Sequence, residues 1–213
     1  MTKAFTFATD TPAKPIRVLS AAAFESWAEN QSEYTQRWLQ SNGFKAENEK
    51  WVIIPDETGC AAEVLFICDM PEKRLSGAAL ATQLPLGDYV FKRDGLNEAA
   101  LCQLTTAWGL ALYQFNRYRS RNKKEVPCLH ITEAERGAYQ WVETIAMVRD
   151  LINMSPEDLG PAELAHYCRD FCARFSGMMQ EVVGEDLLAA GYPLTYAVGR
   201  GSDCAPRLID MRF

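Results

Sequence analysis

The chain has 213 residues, enough for one large core or two small ones. Hydrophobic residues make up 48% and charged residues 23%, which excludes disordered and fibrous classes. The formal net charge of −6 is uneven: residues 1–132 hold 15 Lys+Arg against 15 Asp+Glu, and residues 133–213 hold 7 against 13. Balanced then acidic, the chain offers no broad basic face of the kind general nucleic-acid binding requires.

The N-terminal stretch Met1–Lys14 is polar and lacks an apolar core, so no secretory signal is expected there. No apolar run is long enough to cross a bilayer. A helix is predicted over Leu19–Asn30, capped by Ser20, with Leu19 and Phe24 at the two positions of a hydrophobic staple. A second runs from about Ser32 to Ser41, and Gly43 follows where a helix tends to end in a left-handed residue. Trp51–Ile54 and Ala61–Cys68 read as a hairpin around the turn residues Pro55–Gly59, and Tyr89–Phe91 as a short strand.

Asn97–Tyr118 is predicted as an amphipathic helix with Leu101, Leu104, Trp108, Leu112 and Phe115 on one stripe. A basic stretch follows, with Arg117, Arg119, Arg121, Lys123 and Lys124, and then a strand over Val126–Ile131. Glu133–Asn153 is a long helical pattern with Ala138, Trp141, Ile145, Val148 and Ile152 on one side. Ser155-Pro156 and Gly160-Pro161 interrupt it, and Pro161 suits the first position of a helix over Ala162–Phe175. Met178–Val183 reads as a strand, Glu185–Ala190 as a short helix, and Arg207–Met211 as a last strand.

Strands alternating with helices indicate an α/β fold. The expected organisation is an N-terminal domain over 1–132, a mixed sheet flanked by helices. Residues 133–213 would hold a long linker helix and the opening of a second α/β domain. A strand with no further strands after it leaves that second sheet without neighbours, so the second domain is expected to be truncated.

Seven cysteines are present: Cys60, Cys68, Cys102, Cys128, Cys168, Cys172 and Cys204. Their odd number and the lack of any Cys-x-x-Cys pair suggest reduced, mostly buried thiols of a cytosolic protein.

Three stretches together carry a resemblance. Val148-Arg149-Asp150-Leu151-Ile152-Asn153, followed by Glu157-Asp158-Leu159-Gly160-Pro161-Ala162-Glu163-Leu164-Ala165, resembles the signature that opens the catalytic domain of leucine (cytosol) aminopeptidases. Ala197-Val198-Gly199-Arg200-Gly201-Ser202 with Ala205-Pro206-Arg207-Leu208-Ile209-Asp210 resembles the segment just before that family's metal-binding core. Tyr113-Gln114-Phe115-Asn116-Arg117-Tyr118 is similar to the end of the last helix of the N-terminal domain in the bacterial branch. The match spans roughly Trp108 to Asp210 and is looser upstream.

Where the family reads Asn-Thr-Pro, this chain has Asn153-Met154-Ser155-Pro156. It also lacks the family's Lys- and Asp-bearing glycine-rich motif and its Asn-Thr-Asp-Ala-Glu-Gly-Arg motif. The resemblance implies a cytoplasmic, hexameric hydrolase that removes N-terminal residues from peptides with two divalent metal ions, Zn or Mn. It places the metal ligands, catalytic lysine and arginine in the two missing motifs. No catalytic, metal-ligating or cofactor-binding residue is therefore assigned between Met1 and Phe213, and the chain alone is expected to be inactive and to bind no metal. A stand-alone interaction or assembly module of the same family, able to bind a full-length paralogue or a nucleic acid through the basic stretch, is the alternative.

Other candidates read as structural. Glu163 and His166 form one Glu-x-x-His pair with Asp170 a turn on, where carboxylate di-metal bundles need two such motifs, so a solvated helix face is expected. Cys168 and Cys172 sit on an apolar stripe without the further ligands zinc requires. His130, two residues after Cys128, has no nucleophile-elbow motif to serve. Gly199-Arg200-Gly201-Ser202 is expected to be a helix C-terminal turn rather than an anion cradle.

Overall fold

A computed structural model describes residues 4–7, 12–73, 75–118 and 125–213. In chain order the elements are β1 (Phe5–Phe7), β2 (Lys14–Leu19), α1 (Ala21–Glu29), α2 (Glu33–Ser41), β3 (Trp51–Pro55), β4 (Ala61–Ile67), α3 (Ala78–Gln83), β5 (Asp88–Phe91), α4 (Glu98–Ala111) and β6 (Cys128–Ile131). A single 3-10 turn, Glu133–Glu135, leads into α5 (Arg136–Asn153), then α6 (Pro161–Arg174), β7 (Met178–Val183), α7 (Asp186–Ala189), α8 (Pro193–Gly199) and β8 (Arg207–Arg212).

Packing divides the chain into two compact units, Met1–Val148 and Arg149–Phe213. The division falls within α5, whereas the change in sequence character comes earlier, at Thr132.

The first unit is built on a six-stranded sheet of order β1-β6-β5-β2-β4-β3. Every pairing is parallel except the β3–β4 hairpin. Alternation along the strands gives the sheet two distinct faces. Ile16, Val18, Val64, Phe66, Tyr89, Phe91, Leu129 and Ile131 face one way and pack with Leu80, Leu84, Leu101, Leu104, Trp108 and Leu112 from α3, α4 and their ends. Leu65 and Ile67 face the other way and join Leu39, Phe24, Trp27 and Phe44 from α1, α2 and the turn after them. Trp108 is the pivot of the larger core, fully buried with its ring centroid 6.0 Å from Tyr89 and 6.2 Å from Phe91.

Side chains satisfy the orphan donors at helix starts. Ser20 Oγ accepts the Ala23 N–H at 3.2 Å, and Asp69 reaches from the end of β4 to accept the Ala21 N–H at 2.7 Å. Ser32 and Asn97 do the same for α2 and α4. Gly43 closes α2 in the left-handed region, at φ +57°.

The strand at the centre of the sheet, β2, has no counterpart among the sequence expectations, and neither do β1 and α3. Pro15 disguises β2, because proline removes a ladder donor. It is tolerated here because pairing with β4 begins only at Ile16↔Val64. The helix expected over Asn97–Tyr118 ends at Ala111, with Leu112 as its C-terminal cap. Its buried stripe stops at Leu112, and the following Tyr, Phe and Asn residues are poor helix formers without a core to hold them.

In the second unit, β7 and β8 form an antiparallel pair from Met178↔Arg212 to Val183↔Arg207, and α6 packs on one face of it. Pro161 starts α6 and Glu163 accepts the Gly160 N–H at 3.0 Å. Ala165, Cys172 and Leu187 are the fully buried apolar side chains of this unit.

Candidate functional site

A polar cluster around one buried carboxylate lies at the foot of α5. Thr132 opens the segment, its hydroxyl accepting the Ala134 N–H at 3.3 Å. Glu135 turns back and accepts both the Thr132 N–H, at 2.7 Å, and the Thr132 hydroxyl, at 2.6 Å. Its other oxygen accepts from Arg93 Nη2 at 2.6 Å. Glu135 is only 4% exposed, and these bonds compensate the burial of its charge. The Thr-x-x-Glu spacing is a capping-box signature visible in the sequence. The Arg93 partner, 42 residues away, carries no local signal.

On the sheet face opposite the main core, Glu63 takes Arg17 Nε at 3.0 Å and Lys92 Nζ at 2.8 Å. His130 on β6 alternates with the core residues Leu129 and Ile131, and its Nε2 is 2.9 Å from Asp88 Oδ1 on the neighbouring strand. That carboxylate gives the buried imidazole a structural partner.

In the second unit, Glu181 on β7 accepts from Arg169 Nη2 of α6 at 2.6 Å and pairs with Arg207 of β8. The three charges tie the helix to the hairpin. Glu163 serves the start of α6, while His166 and Asp170 are mostly exposed and 3.4 Å apart, which is a solvated helix face. Gly199 and Gly201 form the C-terminal turn of α8, with Arg200 N–H bonded to Tyr196 O at 3.1 Å and Ser202 N–H to Gly199 O at 3.2 Å. Their N–H groups are taken up by the turn rather than aimed at a ligand.

The seven cysteines are free thiols. Cys68 and Cys172 are buried, Cys102, Cys128 and Cys168 half-buried, and Cys60 and Cys204 exposed, so burial is less complete than the composition suggests. Cys60 closes the exposed hairpin turn, where an Asp56-centred network leaves the side chain outside. Burial raises the thiols of Cys68, Cys102 and Cys168 above the usual range, which makes them poor nucleophiles. Of the basic stretch, Arg119, Arg121, Lys123 and Lys124 lie outside the described residues.

Among the described residues, no group of three or more His, Cys, Asp and Glu side chains is placed to hold a metal ion. No helix among them is long and apolar enough to cross a membrane. The polar clusters described in the two units bind helix starts, strands and a hairpin to one another. Identity therefore rests on the whole architecture.

Two family profiles match the chain in succession. That of the M17 aminopeptidase N-terminal domain covers residues 14–130, and that of the cytosol aminopeptidase catalytic domain covers residues 146–213. The chain belongs to the cytosol (M17) aminopeptidase family. The cytosol aminopeptidase of Pseudomonas aeruginosa is 32% identical over 155 residues, which are 66% of this chain and 30% of that protein. The crystal structure of the cytosol aminopeptidase from Coxiella burnetii superposes on 98% of this chain with a TM-score of 0.88 and 30% identity. The chain covers 46% of that structure. A bottromycin maturation enzyme, BotP, solved in complex with Mn, shares the fold at a TM-score of 0.72 and 19% identity, over 94% of this chain and 45% of its own. The M17 chain therefore matches between 30% and 46% of the length of these relatives. Its α/β fold, with the mostly parallel first sheet and a second α/β segment after α5, is the family's.

Proposed function

We propose that this chain is the N-terminal scaffold of a metal-dependent aminopeptidase that removes N-terminal residues from peptides in the cytosol. Residues 1–132 form the N-terminal domain on this reading, and residues 133–213 the linker helix and opening segment of the catalytic domain. The observation that carries it is the succession of the two family profiles over 14–130 and 146–213.

The whole protein would work with two divalent cations, Mn or Zn, as a hexamer. The described residues do not fit a metal site, so no chemical step is derived through them. Their part is to fold the N-terminal domain and to hand the chain through α5 to the hydrolase. No catalytic, metal-ligating or cofactor-binding role is assigned to any of the 213 residues.

Release of leucine from leucinamide tests this. It would be measured for the intact product purified from its source and for the 213-residue chain alone, each with Mn²⁺, with Zn²⁺ and after chelation. The intact product should be active, lose activity on chelation and regain it with metal, while the chain alone turns over nothing. Turnover by the chain alone, or an intact product without aminopeptidase activity, would sink the reading.

A further inference from the structure

Strand β1 is lightly held by the sheet it belongs to. It has three residues, lies at one edge and pairs with β6 alone. Phe5, Thr6 and Phe7 are all half-buried. The M17 N-terminal-domain profile begins at residue 14, after β1.

The seat it occupies is nonetheless specific. The Leu129 N–H of β6 donates to Ala4 O at 2.9 Å, and the parallel register runs from Phe5↔Leu129 to Phe7↔Ile131. Alternation along the strand sends Phe5 and Phe7 to one face. There both rings meet Tyr139 of α5 edge-on, with centroids 5.8 and 5.4 Å away, and Arg136 Cζ lies 4.8 Å from the centre of the Phe7 ring. Gly109 of α4 leaves the space that the Phe5 ring fills, since a Cβ there would stand 2.5 Å from it. All of these partners belong to the first unit.

Main-chain pairing to a sheet edge, with pockets for alternate side chains, is how extended peptides are recognised by strand addition. We infer that the β6 edge and the α4–α5 groove beside it form a recognition site for an extended segment of a partner protein with aromatic residues at two alternate positions, and that β1 is the chain's own occupant of that site. The incoming segment pairs parallel to β6 in place of β1 and sets its two rings against Gly109 and Tyr139. Strand β1 is then a strap that competes with it. A segment tethered through a short connection, here residues 8–13, has an effective concentration on the order of millimolar, so the strap closes the site to weak partners. The site asks nothing of the catalytic half and goes beyond the aminopeptidase reading.

The test follows a fluorescein-labelled peptide of residues 1–9 by anisotropy. It is titrated with the full chain and with the Phe5→Ala/Phe7→Ala double variant, whose strap has lost both anchors. The variant should bind the peptide on the order of tenfold more tightly than the unmodified chain, because loss of the rings weakens the internal competitor. The peptide should also raise the melting temperature of the variant. The same peptide with alanine at both phenylalanine positions should bind neither chain. Equal binding to the two chains, or none, overturns the inference. So does a double variant that stays unfolded with the peptide present, because β1 is then part of the core and not the occupant of a site. Size-exclusion chromatography of the unmodified chain identifies the source of the segment. A mass that the peptide leaves unchanged supports a partner protein, whereas a dimer that the peptide dissociates overturns it in favour of β1 exchanged between two copies.

Discussion

Glu135 and Arg93 are 42 residues apart in the chain and 2.6 Å apart in the fold. The pair joins the end of β5 to the first turn before α5, and Thr132 completes it from the end of β6. Helix α5 is thereby held at its N-terminal end by one buried carboxylate that satisfies two donors of its own segment and one from outside it.

Removing that carboxylate should loosen the helix start. Glu135→Ala leaves the Thr132 N–H and hydroxyl without their acceptor, at a cost of about 2 kcal/mol. A fall in melting temperature of roughly 5 °C would follow. Arg93→Ala should cost less, because the Thr132 N–H and hydroxyl still hold the carboxylate and the guanidinium is itself half exposed. Thermal denaturation followed by circular dichroism checks both, and equal losses would contradict the assignment of Glu135 as the centre.

Two glycines of neighbouring helices should respond oppositely to alanine. At Gly109 of α4 a Cβ would come within 2.5 Å of the Phe5 ring and 2.6 Å of Val142 Cγ1. Gly109→Ala should therefore destabilise by about 2 kcal/mol through overpacking between α4, β1 and α5. At Gly137 of α5 a Cβ meets nothing within 4 Å, so Gly137→Ala should stabilise by up to about 1 kcal/mol through helix propensity. Urea midpoints of the two variants measured side by side decide the signs.

The β3–β4 turn should be acid-sensitive. Asp56 accepts from the Thr58 hydroxyl at 2.6 Å and from the Thr58 and Cys60 N–H groups at 2.9 and 3.0 Å. The Thr58 hydroxyl bond, followed by the Cys60 N–H, holds the carboxyl below its ordinary value of 3.8. A depressed folded value means the turn's contribution is present above pH 3.8 and is lost as pH falls through the lower folded value. Amide exchange at Thr58 and Cys60 should rise, relative to the rest of the sheet, as the solution is acidified through that window. Asp56→Asn should remove the pH dependence, and persistence of it in this variant would place the titrating group elsewhere.

Shortening the core's largest side chain should be costly. Trp108→Ala removes a fully buried indole packed between Tyr89 and Phe91, and a loss of about 4 kcal/mol is expected. Chemical denaturation monitored at the remaining tryptophans would show it; a change below 1 kcal/mol on the same scale would mean that the site collapses without a cavity.

The sequence by itself determined the local features and the kinship. Ser20 and Ser32 mark their helix starts because a short side-chain oxygen can reach the orphan N–H groups of its own first turn. The β3–β4 hairpin is legible because its turn chemistry lies within a few residues. The family resemblance is legible from Val148–Ala165 and Ala197–Asp210, because those stretches are contiguous. Only the tertiary structure decided the rest. It put the proline-bearing β2 at the centre of the sheet, where its neighbours β4 and β5 make it a strand. It ended α4 at Ala111, where the core runs out. It split the apolar arc of α5 into a buried half at Ala138 and Val142 and a bare half at Trp141, Val148 and Ile152. Periodicity finds the arc, but which half is buried depends on what the fold brings alongside it. The same holds for Glu135: its capping box is written in four residues, while its meeting with Arg93 is made by the parallel pairing of β5 and β6.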